Sequence, residues 1–287
     1  MTYRFGFPIW FKDALQIAIA GTLSFPFALV VALPSNAQIT PDATLGTENS
    51  IVTEDVFIRG ALADLIEGGA IRDANLFHSF LEFNVDNGQR AYFANPDTIT
   101  NIFSRVTGAD PSDILGTLGV DGTANLFFLN PNGIIFGPNA SLDIEGSFVG
   151  TTADAIQFGD EGFFSATEPE SSSLLTVDPS ALLFNQMTPR AITNTSVAFV
   201  GLSPSGIPLS GLRAAPNRSL LLIGGDINMP GGSIVGSGSR IELGGLAEPG
   251  VVGLEARGDT FQLRFPQASE RADINLINDG RVGLTGN

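Results

Sequence analysis

The chain has no cysteine and, among its 287 residues, one lysine, one histidine and one tryptophan. Without cysteine there is no disulfide framework, so stability has to come from packing and backbone pairing. The same absence leaves the chain free to be threaded through a pore unfolded. With no thiol and a lone histidine, a His/Cys-ligated zinc site is excluded, and a His-based triad has only His78 to build on. Positive charge is also scarce. Beyond residue 37 there are 12 Arg, no Lys and 29 Asp plus Glu, a formal charge of −17. A chain this acidic repels phosphate backbones and anionic bilayers, which argues against nucleic acid as a partner. Helical patterning is sparse. Thr98 to Val106 alone has apolar residues at helical spacing (Ile99, Ile102, Phe103, Val106), and a strand fits it nearly as well.

Long apolar runs are missing everywhere except at the start. Arg4 and Lys12 make a positive region, and Ala14 to Leu33 is almost wholly apolar. Pro34 and the small residues Ser35-Asn36-Ala37 then precede Gln38. This is the pattern of a signal peptide over residues 1–37, cleaved before Gln38. About 20 apolar residues could also anchor in a bilayer, but Pro26 inside the run and the small-residue exit favour cleavage.

What is present instead is glycine and short apolar bursts. Leu76 to Val85 alternates, which predicts Phe77, Leu81, Phe83 and Val85 on one side and His78, Glu82 and Asn84 on the other. His78 reads as a packed or edge residue of that strand. Phe127–Leu129, Ile134–Phe136, Leu142–Ile144 and Ser147–Val149 follow one another across Pro, Asn and Gly. The cadence returns at Leu220–Ile223, Asp226–Met229, Ser233–Val235 and Ile241–Leu243, and more weakly at Val251–Leu254, Phe261–Leu263 and Ile274–Ile277. Laying Gly137 over Gly224 aligns Leu142 and Ile144 with Ile227 and Met229, and Phe148 with Ile234. Short strands separated by glycine corners mark a solenoid, in which each strand completes its hydrogen bonds on the next coil. At about 20 to 25 residues per coil, roughly ten coils are expected. A β-sandwich would need longer strands at wider spacing. The fold class is therefore all-β, a parallel β-helix. Thr151–Pro169, running on to Ser173, and Ser203–Asn217 read as exposed excursions from it.

Asn130-Pro131-Asn132-Gly133-Ile134 is a turn with a mechanism. Asn130 can bond its own backbone two residues on, Pro131 presets φ, Asn132 tolerates the bridge or left-handed region, and Gly133 closes the turn. By itself it is a generic β-corner; its context is more specific. Asn75-Leu76-Phe77-His78-Ser79-Phe80 leads into Phe83-Asn84-Val85, then Ala94-Asn95-Pro96 and Ile102-Phe103-Ser104-Arg105-Val106-Thr107-Gly108. Leu115 to Gly122 and Asn125-Leu126-Phe127-Phe128-Leu129 precede the turn. This order resembles the haemagglutination-activity, or two-partner secretion, domain of filamentous-haemagglutinin-like exoproteins, of cyanobacterial type. The likeness is close from Ile39 to Phe158 and looser to Leu246.

The resemblance implies a right-handed parallel β-helix (a pectin-lyase-like solenoid) with an N-terminal cap and extra-helical loops. It divides the chain into residues 38–165 as the secretion domain core and 166–287 as continuing repeats. It also implies export through the periplasm by an outer-membrane β-barrel transporter whose periplasmic domains recognise the module. The exported protein would be adhesin-like, secreted or at the cell surface. Of the family's two Asn-Pro motifs, the second is matched residue for residue by Asn130, Pro131, Asn132, Gly133 and Ile134. The first, usually Asn-Pro-Asn-Leu, stands here as Asn95-Pro96-Asp97-Thr98.

The rival class is a β-helical polysaccharide lyase or glycosidase. A carboxylate pair is guaranteed among 29 acids and so indicates nothing. No P-loop and no Asp-rich calcium loop is present. No catalytic residue, cofactor or metal is therefore assigned, and the chain is expected not to be an enzyme. The sequence stops at Asn287 inside the repeating cadence. The expectation is of a truncated product or a short member whose open last coil self-associates through unpaired strand edges.

Overall fold

A computed structural model describes residues 38–203, 206–267 and 269–285. The signal peptide reading of residues 1–37 lies outside the described residues. The main sheet is a column of six parallel strands: Asn75–Phe83, Asn101–Val106, Asn125–Leu129, Phe148–Thr151, Ser219–Gly224 and Arg240–Gly245. Leu76, Ile102, Leu126, Phe148, Leu220 and Ile241 stand in register. Successive members are 26, 24, 22, 72 and 21 residues apart. A second column stacks Ser112–Ile114, Ile134–Phe136, Ile192–Asn194, Ile227–Pro230 and Ile274–Ile277, again parallel. A third stacks Ala61–Gly68, Arg90–Ala94, Thr117–Asp121 and Ser141–Asp143. Leu212–Ala214, Ser233–Ser237 and Arg281–Thr285 form a further parallel triplet. This is a parallel β-helix. Its lumen is filled by inward side chains in layers, such as Leu76, Ile102, Leu126, Leu118, Leu142, Ile134 and Ile192.

The first coil is closed by antiparallel pieces. Ser50–Ile58 pairs with Ala61–Gly68 through a two-residue turn, with Arg59 at φ 47° and Gly60 at φ 89°. Both central residues at positive φ match the twist of a tight hairpin. Ile39–Pro41 and Ala70–Arg72 pair in turn along the one edge of Asn75–Phe83 that the next coil does not take.

The first five strands of the main column are buried on both faces over most of their length. Phe77, Phe103 and Phe127 point away from the lumen and stack along the axis, with centroids 5.1 and 4.7 Å apart. An antiparallel sheet of Ala155–Phe158, Gly162–Ser165, Ala181–Phe184, Gly250–Arg257 and Thr260–Arg264 lies over them. It places Phe158 and Phe164 against Phe77, Phe158 also against Phe103, and Phe261 against Phe127. Each buried Phe contributes about 1.5–3 kcal/mol, so this second core is a major stabiliser.

Several sequence expectations change here. Residues 151–173 are not an exposed loop: Ile156, Phe158 and Phe164 are buried in the covering sheet. Val251–Leu254 and Phe261–Leu263 belong to that same sheet rather than to a coil. Chain spent there explains why six strands stack in the main column instead of ten. Ser203–Asn217 is an excursion in part, since Phe199–Leu202 and Pro208–Ser210 make a hairpin while Leu212–Ala214 rejoins the coil. The overlay of Gly137 on Gly224 is off by one face. Phe148 registers with Leu220, and Ile134 with Ile192 and, through it, Ile227. Thr98–Val106 resolves as a turn followed by the strand Asn101–Val106. Phe77 and Leu81, predicted on one side with Phe83 and Val85, do not share it: Phe77 faces away from the lumen that Phe83 and Val85 fill, and Leu81 is exposed. The register slips between Thr40↔Glu82 and Pro41↔Phe80, leaving Leu81 as the extra bulge residue, so Phe80 and Phe83 both face the lumen.

Candidate functional site

Asn130 to Gly133 is the corner between the strands Asn125–Leu129 and Ile134–Phe136, and it closes as its residue types dictate. Gly133 N–H donates to the Asn130 carbonyl at 3.2 Å, and Asn132 N–H donates to Asn130 Oδ1 at 2.9 Å. Gly133 sits at φ 123°, in the region that disfavours any side chain. The corner is stitched to both neighbouring coils. Asn130 Nδ2 donates to Ser112 Oγ (2.9 Å) and to the Asp110 carbonyl (3.1 Å), and Asn132 Nδ2 to the Gly108 carbonyl (2.7 Å). On the other side, Asn130 N–H reaches the Thr151 carbonyl, while Gln186 Nε2 donates to the Pro131 carbonyl at 3.0 Å. Asn130 and Ile134 are fully buried, and Pro131 and Gly133 are buried with them. A cleft of about 470 Å³ opens beside Pro131 and Asn132, walled by Gly108, Ala166 and Pro169.

Asn95-Pro96 is a second corner of the same kind on another face. Ile99 N–H closes it on the Pro96 carbonyl at 2.9 Å, and Asn95 Nδ2 donates to the Pro96 and Ile99 carbonyls. Asn95 Oδ1 accepts from Thr123 N–H and Ala124 N–H of the next coil, both at 2.9 Å. Asp97 and Thr98, which follow Asn95-Pro96 in the chain, are exposed. The bonding role of the corner therefore rests on Asn95. The structure does not bring the two corners together: the Asn130 corner ties its coil to both neighbours, and Asn95 ties its own to the next. Asn, Pro, Gly and Ile do not titrate, so the corners offer hydrogen-bond geometry rather than proton transfer.

Two polar constructions were missed in the sequence. One is an asparagine ladder at the head of the main column. Asn101 Nδ2 donates to Asn75 Oδ1 (3.1 Å) and Asn125 Nδ2 to Asn101 Oδ1 (2.9 Å). Asn125 Oδ1 accepts Ser147 N–H, whose Oγ accepts Ser219 N–H. The signal was legible: Asn-Leu/Ile-Phe recurs at 75, 101 and 125. The other is the fully buried Arg105. Its Nε donates to Ser79 Oγ (2.8 Å) and its Nη atoms to Thr44 Oγ1, Ser172 Oγ and the Ser165 carbonyl. The guanidinium lies 4.4 Å from the centre of the Phe164 ring. Burial pulls its pKa down to about 10, opposed by Asp42 and Glu170, so it remains charged. Asp42 accepts from Thr44, Ser79 and Thr107. Those bonds outweigh the desolvation that is the largest single influence on it, and its pKa falls below the usual value. Arg105 thus joins the N-terminal segment, the coil and the covering sheet through one side chain.

His78 is fully buried on the lumen side, with Nδ1 3.0 Å from Ser50 Oγ and Nε2 without a hydrogen-bond partner. Burial pulls its pKa down to about 3, so it is neutral at physiological pH. Among the described residues, no group of three or more His, Asp or Glu is placed to hold a metal ion.

Comparison with known proteins places these corners in context. The heme/hemopexin-binding protein of Haemophilus influenzae is 31% identical over 80 residues, 28% of this chain and 8% of that protein. The chain thus matches only a small part of that relative's length. The HMW1 secretion domain from Haemophilus influenzae aligns with 83% of this chain and 54% of its own, at 19% identity and a TM-score of 0.49. The filamentous hemagglutinin secretion domain aligns with 87% of this chain and 99% of its own, at 15% identity and a TM-score of 0.30. The family model for the TPS secretion domain matches residues 37–285, nearly the whole of the β-helix and its covering sheet, and the chain belongs to that two-partner secretion family.

Proposed function

We propose that the chain is the export module of a secreted, adhesin-like, non-enzymatic exoprotein. An outer-membrane transporter reads it in the periplasm before it folds. On this reading residues 1–37 are a signal peptide removed before Gln38, and residues 38–165 hold the determinants that the transporter recognises. Asn130 to Ile134 is the principal secretion motif, with Asn95 and Pro96 as the lesser one. The observation that carries this is burial. Asn130, Pro131, Gly133 and Ile134 are enclosed in the folded coil, so a partner that reads their sequence has to meet them before the corner closes.

An extended, alternating segment can add to the edge of a periplasmic domain's sheet, with backbone bonds giving affinity and alternate side chains giving choice. Outside the cell, corner closure then fastens the coil to both neighbours, and each completed coil biases passage outward. Deleting Asn130 to Gly133 is expected to leave the protein in the periplasm, and undiminished export would overturn the reading. A complementary arm compares capture by the transporter's isolated periplasmic domains. Chain diluted from urea should be retained and refolded chain should not.

A further inference from the structure

The outward side of the third column carries a groove that the export reading does not use. Its strands alternate strictly. Ala91, Leu118 and Leu142 fill the lumen, so Arg90, Thr117 and Ser141 stand in one outward row and Tyr92, Gly119 and Asp143 in the next. Gly119 is required there, because a Cβ would lie 2.3 Å from the Tyr92 ring, which crosses it to reach Asp143. Arg213 extends the outward side, between the inward Leu212 and Ala214. The hairpin Phe199–Leu202/Pro208–Ser210 overhangs it and presents Phe199, which is 68% exposed. The groove lies largely open to solvent and offers about 400 Å³, within the range of small-molecule sites.

The charges are arranged unevenly. Asp143 is already occupied: Oδ2 accepts the Tyr92 hydroxyl at 2.7 Å and Oδ1 accepts Arg59 at 3.1 Å. Arg90 is held rigidly, donating to the Ile58 carbonyl and to the Tyr92 hydroxyl, with its guanidinium 4.8 Å from the Tyr92 ring centre. The Arg213 side chain makes no ion pair or hydrogen bond among the described residues, its backbone being paired with the strand that holds Val235. In a chain of formal charge −16, this lining has two guanidinium groups against one carboxylate that is itself paired.

We infer that this groove binds a carboxylate-bearing saccharide. Arg213, with the remaining N–H groups of Arg90, takes the carboxylate, for which the planar fork is matched. The apolar face of the sugar ring lies against Phe199. Thr117 and Ser141, one coil apart at about 4.8 Å, offer hydroxyls in a row along the axis, which suits consecutive units of a polymer. The inference does not rest on the export reading, since the groove exists only in the folded chain.

The test is isothermal titration of the full exported chain with oligogalacturonate and with the matching neutral galactose oligomer. Saturable binding of the acidic oligomer is expected, at least about tenfold tighter than the neutral one. Arg213→Ala should weaken it about tenfold or more, the usual loss for a hydrogen-bonded charge pair. Phe199→Ala should weaken it by a smaller factor, and Arg257→Ala, on the covering sheet, should leave it unchanged. Phe199 lies on the overhanging hairpin, so its variant decides the matter if Arg213→Ala disturbs the coil. No saturable binding, equal binding of the neutral oligomer, or wild-type affinity in Phe199→Ala would each overturn the inference.

Discussion

Single residues carry this fold's polar accounts. Arg105 is a buried cation with no carboxylate of the described residues in direct contact, held by hydroxyls and a carbonyl from three parts of the chain. Arg105→Met should cost about 3 kcal/mol, because the buried Ser165 carbonyl loses a charged donor and the half-buried Ser172 and Asp42 lose a donor and a counterion. Urea denaturation would show it as a lower midpoint at unchanged slope. His78 makes a pH prediction. Its folded pKa of about 3 lies below the ordinary 6.5 of the unfolded chain. Below pH 6.5 the unfolded state therefore binds a proton that the native state refuses, and stability falls as pH falls, at about 1.4 kcal/mol per unit. Between pH 6.5 and 5, above the ordinary range of the carboxylates, a loss of about 2 kcal/mol is expected. The His78→Gln variant should lack this slope, and an identical slope in both proteins would assign it to another group.

At the scale of elements, the outward aromatic column and its covering sheet form a second core. Replacing residues 155–165 by a short Gly-Ser linker should uncover Phe77 and Phe103, detected as increased binding of a hydrophobic dye. Phe103→Ala alone should cost about 3–5 kcal/mol. This core also marks the limit of what the sequence disclosed. Strand bursts and glycine corners were legible because their local chemistry is one-dimensional: Asn130 bonds Asn132, and Gly133 needs positive φ, whatever surrounds them. The covering sheet was not. Residues 151–173 carry many acids and serines, and only tertiary placement shows that Ile156, Phe158 and Phe164 share one face against the coil. Leu81 was misplaced for a related reason. A bulge changes the parity of a strand, and parity is all that alternation reports. Burial on both faces likewise erased the alternation from Asn75 to Phe80, where every residue is buried. Arg105 was passed over because the partners that make it tolerable in the interior lie 26 to 67 residues away in the chain.

For the whole molecule, the last described strands present apolar side chains to solvent. Ile274, Leu276, Ile277, Val282 and Leu284 are exposed there, and we propose that the chain self-associates through this apolar surface. A charge of −17 opposes it over roughly one Debye length, about 10 Å at 0.1 M salt. The expected outcome in light scattering is a mean mass that rises with salt, and Val282→Lys with Leu284→Lys should suppress the rise. The spacing of the main column has a kinetic consequence. Leu76, Ile102, Leu126 and Phe148 come into register by closing segments of 22 to 26 residues, whereas Leu220 has to return across 72. Loop-closure entropy makes that return costlier by about 1 kcal/mol, and three strands of the covering sheet, Ala155–Phe158, Gly162–Ser165 and Ala181–Phe184, lie within the segment it closes. The first four coils should therefore acquire amide protection before Leu220 and Leu243 in pulse-labelled refolding. A chain emerging from a pore would then hold a compact foothold after half its length had passed.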